Sequence, residues 1–286
     1  MIATVVSILV DATLITLVLA LAASGLAVIF GLVGVINMGH GAMLTLGAYF
    51  AWALVSGGMP FLLAALLAAI GVGLIGLILE VVLIRHFYDR PFETLLLTWG
   101  FFLVATELIK IVFGSDFRSI PEPLPGTFNL GFAEVPAYRT LIGLFTIGLL
   151  VAMGLVYYRT GLGIRIRALI QNREVASLLG LNVRALYRWV FTGGAFLAGL
   201  AEGLISPMLS IDPYIGNVFL VRSFFVVTVG GLGQLLGGTV LGSFIIGGSE
   251  TLFALVTSQT FAQTIVFVLA ILILRFRPRG ILAQQN

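Results

Sequence analysis

The stretch FLLAALLAAIGVGLIGLILEVVLI, from Phe61 to Ile84, carries one charged residue, Glu80. Wound as a helix it rises about 36 Å, more than the roughly 30 Å of hydrocarbon in a bilayer. A helix that is apolar on every side lies either inside a large core or in lipid. Comparable apolar runs occupy residues 5–33, 41–56, 94–113, 140–158, 188–205, 218–235, 237–256 and 261–274. Composition decides between core and lipid: charged residues make up 9% of the chain and hydrophobic residues 60%, whereas soluble domains carry about 25% charge. The chain therefore reads as an all-α, polytopic membrane bundle of about eight or nine transmembrane helices, one domain over residues 1–286.

The polar punctuation sets the direction of the runs. Six of the fifteen Lys and Arg residues, Arg159, Arg165, Arg167, Arg173, Arg184 and Arg188, fall in the connector 159–188 beside one acid, Glu174, which marks that connector as cytoplasmic. Arg85, His86 and Arg90 form a second inner loop, and Arg275, Arg277 and Arg279 bring the C-terminal end to the same side. Residues 114–139, with four prolines and mixed charge, read as a folded external loop, and the polar patch Ser210 to Asn217 as another. Nine crossings then put the N-terminus outside. If residues 33–41 form a break within the membrane instead of a loop, the count becomes eight, with the N-terminus inside. The first apolar run lacks a basic leader and holds Asp11, so it is expected to be retained and not cleaved.

The net charge of +3 follows from basic residues set beside apolar spans, which argues against a nucleic-acid partner. With no cysteine there is no thiolate nucleophile, disulfide or Cys-ligated metal. No phosphate-binding loop, catalytic carboxylate pair or metal-ligand run occurs, so neither an enzyme nor a metal or other cofactor is expected. Glycine is abundant at 35 residues. Two Gly-rich regions, GLAVIFGLVGVINMGHGAMLTLGAY and VVTVGGLGQLLGGTVLGSFIIGG, echo each other, and interrupted segments in corresponding halves point to a pathway at the bilayer midplane. The four-residue spacings Gly199/Gly203, Gly233/Gly237 and Gly238/Gly242 also suit close helix packing.

Within the first region, Asn37 and His40 stand one helical turn apart, flanked by Gly39 and Gly41. They can face a watery cavity or hold the bundle by hydrogen bonds to neighbouring helices. Glu107 and Lys110, three residues apart, form a structural ion pair. Glu202 and Glu250 have no local partner, with Arg222 within reach of either, while Glu80 and Glu93 read as solvated residues near the inner interface. Tyr157 and Tyr158 suit an interfacial aromatic belt. In the basic connector, Gln171 to Leu179 suits about two turns of helix, capped by Asn172 and stopped by Gly180. Its apolar residues Val175, Leu178 and Leu179 lie on one side, and so short a helix needs something to dock on.

The run Ala176, Ser177, Leu178, Leu179, Gly180, Leu181 resembles the coupling segment of permease subunits of ABC importers of the branched-chain amino acid type. The resemblance continues at Val35 to Gly41, Asp212 to Gly216, Val229 to Gly233 and Arg277 to Ile281, in order along most of the chain. Arg90 to Gly100 and Gln171 to Glu174 look more like the urea and short-chain amide branch, which leaves the solute open between the two. The resemblance implies a multi-pass permease of the inner membrane, surrounded by lipid. It also implies two cytoplasmic ATPase subunits, a second identical or homologous permease subunit and an external solute-binding protein. Arg167, Gln171, Asn172, Arg173, Glu174, Ala176, Ser177, Leu179 and Gly180 would then couple to the ATPase, and Asn37, Gly39, His40, Gly41, Gly230, Gly231 and Gly233 would line the pathway. The rival reading is an ion-coupled secondary transporter or channel working alone, with Glu202 and Glu250 as its cation sites. An intramembrane enzyme would have only His40 as a base.

Overall fold

The computed structural model describes residues 2–129, 134–231 and 233–282. Among the described residues, seven apolar helices are long enough to cross a membrane. In order, the helices are α1 (Ile2–Val33), α2 (His40–Ser56), α3 (Phe61–Val82), α4 (Pro91–Phe113), α5 (Ala137–Arg159), α6 (Gly161–Gln171), α7 (Arg173–Leu178), α8 (Val183–Ile205), α9 (Ile215–Gly230), α10 (Leu235–Ser243), α11 (Ser249–Ala254) and α12 (Gln259–Phe276). A five-residue π-helical segment, Phe244–Gly248, joins α10 to α11 into one crossing. The end of the bundle that carries the arginines of α6 and α7 is the inner end.

Helix α8 is the centre of the bundle, packed on α1, α2 and α3. Small residues allow that crowding. A Cβ on Gly47 would meet the Gly199 carbonyl at 2.6 Å, so α2 and α8 touch backbone to backbone. Leu21, Ala22, Met43, Leu44, Val72, Phe191, Ala195 and Ala198 fill the spaces between these helices. Helices α4, α5 and α12 stand at the periphery and present most of their apolar surface outward, as lipid-facing helices do.

Two helices, α2 and α9, are shorter than the seven long spans, and each is preceded by a non-helical segment that dips into the bundle. Gly34, at φ +74°, turns the chain at the inner end of α1. Residues 34–39 then climb back until His40 Nε2 lies 3.1 Å from the Ala22 carbonyl oxygen. Ala22 is about 16 Å above Val33 along α1, so α2 starts near mid-depth and runs to the outer end. Helix α9 does the reverse. Its approach, residues 209–214, comes from the outer end, the Gly216 N–H donates to Thr45 Oγ1 at 3.2 Å, and the helix runs to the inner end at Gly230.

Residues 34–39 are thus both a break within the membrane and part of a crossing. Residues 35–37 lie outside any helix, and residues 38–39 turn into α2, with the His40 N–H donating to the Asn37 carbonyl at 3.3 Å. With α2 and α9 added to the seven long helices, the bundle agrees with the eight or nine crossings expected from the sequence. The second Gly-rich region, 226–248, spans the α9–α10 turn and the π-helical segment.

Outside, residues 127–129 and 134–136 pair as a short antiparallel hairpin within the proline-rich loop; the loop's residues 130–133 lie outside the described residues. Arg118 of this loop and Ile211 exchange two backbone hydrogen bonds of 2.9 and 2.8 Å, tying the loop to the approach of α9. The external loop is folded, as its prolines suggest.

Candidate functional site

The basic connector is more structured than its sequence suggests. Thr160 Oγ1 caps α6 by accepting from Gly163 N at 3.3 Å, and Ile166 and Leu169 tuck under the bundle. The spacing Leu162, Ile166, Leu169 is the signal for this helix, masked by Gly161 and Gly163. Gln171 therefore closes α6 and does not belong to the short helix α7 that follows. Arg167 sits within α6, where its guanidinium donates to the Tyr157 carbonyl and lies over the rings of Tyr157 and Tyr158. Tyr157 is buried in the apolar cluster of Leu26, Ile166 and Leu186, while Tyr158 is exposed.

Helix α7 begins as the sequence suggests, with Asn172 Oδ1 accepting from Val175 N at 3.0 Å. It ends at Gly180, whose φ of +85° is a left-handed conformation that side chains resist. There the Leu181 N–H returns to the Ala176 carbonyl at 3.1 Å. Ala176 points inward and is buried, whereas Leu178 and Leu179 are 85% and 78% exposed. Glu174 and Ser177 share the exposed surface.

A platform holds this helix. Arg173 pairs with Asp89 in the α3–α4 loop, and its guanidinium lies 5.4 Å from the centre of the Tyr187 ring. Tyr187 meets Tyr88 edge to face at 4.8 Å. The Tyr88 hydroxyl donates to Glu80 Oε1 at 2.9 Å, and Arg188 Nε donates to Glu80 Oε2 at 3.2 Å. Burial first, and then the Glu80 carboxylate, push the Tyr88 hydroxyl well above the usual phenol range, so it stays a donor. Glu80 is 1% exposed, not solvated, because these two donors take its place in water. Glu93 is exposed and pairs with Arg90 at 3.3 Å. Sequence reasoning missed Tyr88, Asp89 and Tyr187, whose partners lie far along the chain.

At mid-depth, Asn37 and His40 are both buried. Asn37 Nδ2 lies 3.8 Å from the Met43 sulfur, and the backbone N–H of Met38 donates to Thr98 Oγ1 at 3.1 Å. A Cβ on Gly39 would run into Phe101, and one on Gly216 would overlap the Gly41 carbonyl. Gly230, Gly231 and Gly233 are not beside this group. They form the inner turn between α9 and α10, closed by Leu282 N donating to Gly230 O at 3.2 Å; Leu232 lies outside the described residues.

Of the charges within the spans, Glu107 and Lys110 pair at 2.7 Å, as their spacing suggests. Arg222 chooses Glu250, at 2.9 Å, and Gln259 Nε2 adds a second donor at 2.7 Å. Glu202 is fully buried in α8, with neither carboxyl oxygen meeting a hydrogen-bond partner among the described residues.

The family described as "Branched-chain amino acid transport system / permease component" matches residues 8–274. The chain belongs to this family. As a member, it is a multi-pass permease component of the inner membrane whose role is transport and not catalysis. One relative of this permease is the high-affinity branched-chain amino acid transport system permease protein BraD of Pseudomonas aeruginosa, 28% identical over 93% of this chain and 92% of that one. The LivH permease protein of Escherichia coli is 25% identical over the same shares. The probable branched-chain amino acid transport permease protein LivH of Methanocaldococcus jannaschii is 29% identical over 92% and 88%. No solved structure matches the permease significantly.

Proposed function

We propose that the chain is the membrane-spanning subunit of an ATP-driven importer of branched-chain amino acids. In this reading it pairs with a second permease subunit, identical or homologous, and works with two cytoplasmic ATPase subunits and an external solute-binding protein. The observation that carries the coupling role is α7. Two adjacent leucines stand exposed on a capped helix at the basic end of the bundle, where apolar surface without a partner is unfavourable in water. Residues 159–188 serve as the coupling connector of a single permease domain, with Leu178 and Leu179 as the knob the ATPase grips and Arg167, Asn172, Arg173, Glu174, Ala176, Ser177 and Gly180 shaping or flanking it.

The ties of Arg173 to Asp89 and Tyr187 make any push on α7 a push on the α3–α4 loop and on α8. Because α8 packs on α1, α2 and α3, the motion reaches the contact between α2 and α9. Asn37, Gly39, His40 and Gly41 form the mid-depth gate, and Gly230, Gly231 and Gly233 form a separate hinge at the inner end.

The test is reconstitution of the chain with its ATPase and binding protein in vesicles, with labelled leucine outside. Wild type should accumulate leucine only with ATP. Replacing Gly180 with valine, which its left-handed backbone resists, should lower uptake per ATP hydrolysed while the protein stays in the membrane. Normal coupled uptake by that variant removes α7 from the mechanism. Uptake of urea or acetamide in preference to leucine, isoleucine and valine overturns the solute assignment. Flux driven by an ion gradient through the chain alone overturns the ATP-driven reading.

A further inference from the structure

A cavity of about 510 Å³ opens at the inner end of the bundle between the end of α3 and the start of α8, lined by Glu80, Arg85, His86, Arg184 and Arg188. Its only acid is already engaged. Glu80 gives one oxygen to the Tyr88 hydroxyl and the other to Arg188. Arg85 and Arg184 have no carboxylate partner among the described residues; the Arg85 Nε reaches only His86, at 3.4 Å. Two uncompensated guanidiniums around a polar hollow make a site for an anion, and the planar fork of arginine suits phosphate oxygens better than any other cation does.

The surroundings say where that phosphate comes from. Leu74, Ile78 and Val82, four residues apart on one face of α3, are 54%, 61% and 58% exposed and lead along the helix to Arg85. We infer that this cavity binds the phosphate of an anionic phospholipid of the inner leaflet, whose acyl chains lie along the exposed face of α3. The lipid bridges α3 and α8 beside the Tyr88–Tyr187 contact, one layer beneath the platform of α7. This site is independent of which solute the permease carries.

The test is native mass spectrometry of the full-length chain in detergent, titrated with phosphatidylglycerol, with phosphatidylcholine and with inorganic phosphate. Phosphatidylglycerol should be retained selectively. The double variant Arg85→Gln, Arg184→Gln should bind it about thirtyfold more weakly, at about fivefold per charge lost, with phosphatidylcholine unaffected. The pair Arg277→Gln, Arg279→Gln, which leaves the cavity intact, should bind as wild type does. Unchanged phosphatidylglycerol affinity in the first variant overturns the inference. Inorganic phosphate displacing the lipid at equal concentration makes it a soluble-anion site and overturns the lipid assignment. So does cross-linking of the Arg184→Cys variant to an ATPase subunit in the assembled complex. Should the double variant fail to fold, spin-labelled lipids in wild-type vesicles decide the matter: an equal immobilised fraction of phosphatidylglycerol and phosphatidylcholine refutes the site, and an excess of phosphatidylglycerol supports it.

Discussion

Four residues carry the sharpest expectations. At Gly216 an added methyl would overlap the Gly41 carbonyl, and neither backbone can retreat while α2 and α9 stay packed. Gly216→Ala should lower stability by about 1–3 kcal/mol, read as a fall in the thermal midpoint of the detergent-purified chain. Gly100→Ala, at a helical position with open space, should leave the midpoint unchanged or raise it by the equivalent of about 0.5–1 kcal/mol. The two buried glutamates should also part company. Glu250 holds Arg222 and Gln259, so Glu250→Ala strands a mostly buried guanidinium at a cost of about 3–5 kcal/mol. Glu202 meets no described donor, so Glu202→Gln removes no interaction, and the variant should melt no lower than wild type. The sequence distinguishes neither glutamate from the other, because what separates them is whether a helix far along the chain supplies a partner.

Among elements, α7 is the one whose sequence speaks most directly. The Asn172 cap and the Gly180 stop are local devices, set by hydrogen bonds within five residues, and both are legible from residue type and spacing alone. The direction the helix faces is not local. That Ala176 turns inward while Leu178 and Leu179 turn out depends on α6, which the sequence hides behind two glycines, and on the Arg173–Asp89 tie. Leu178→Asp should reduce affinity for the ATPase by thirtyfold or more, as loss of a buried anchor worth about 2 kcal/mol does. The stability of the isolated permease should change by no more than about 0.5 kcal/mol. Co-purification and thermal unfolding of the same preparation check both halves.

For the whole molecule, apolar run length is enough to read a helical bundle of about eight or nine crossings. The tie between nine and eight lies in residues 34–39, where composition cannot say whether a break ends a crossing or completes one. Only the contact of His40 with Ala22 places the start of α2 at mid-depth. The chain has no cysteine, so single introduced cysteines report sidedness cleanly. Cys at Ser115 should react with an impermeant maleimide from outside intact cells, and Cys at Ser177 only after the cells are opened. The reverse pattern would invert the topology.

The pair of hydrogen bonds between Arg118 and Ile211 has a mechanical meaning. It fastens the outermost layer of the protein to the segment that feeds α9, and α9 begins against Thr45 and Gly41 in the heart of the bundle. A load placed on the outer rim therefore reaches the centre through about five residues of hydrogen-bonded backbone, without passing down the length of any helix. The rim and the core are two ends of one short tether.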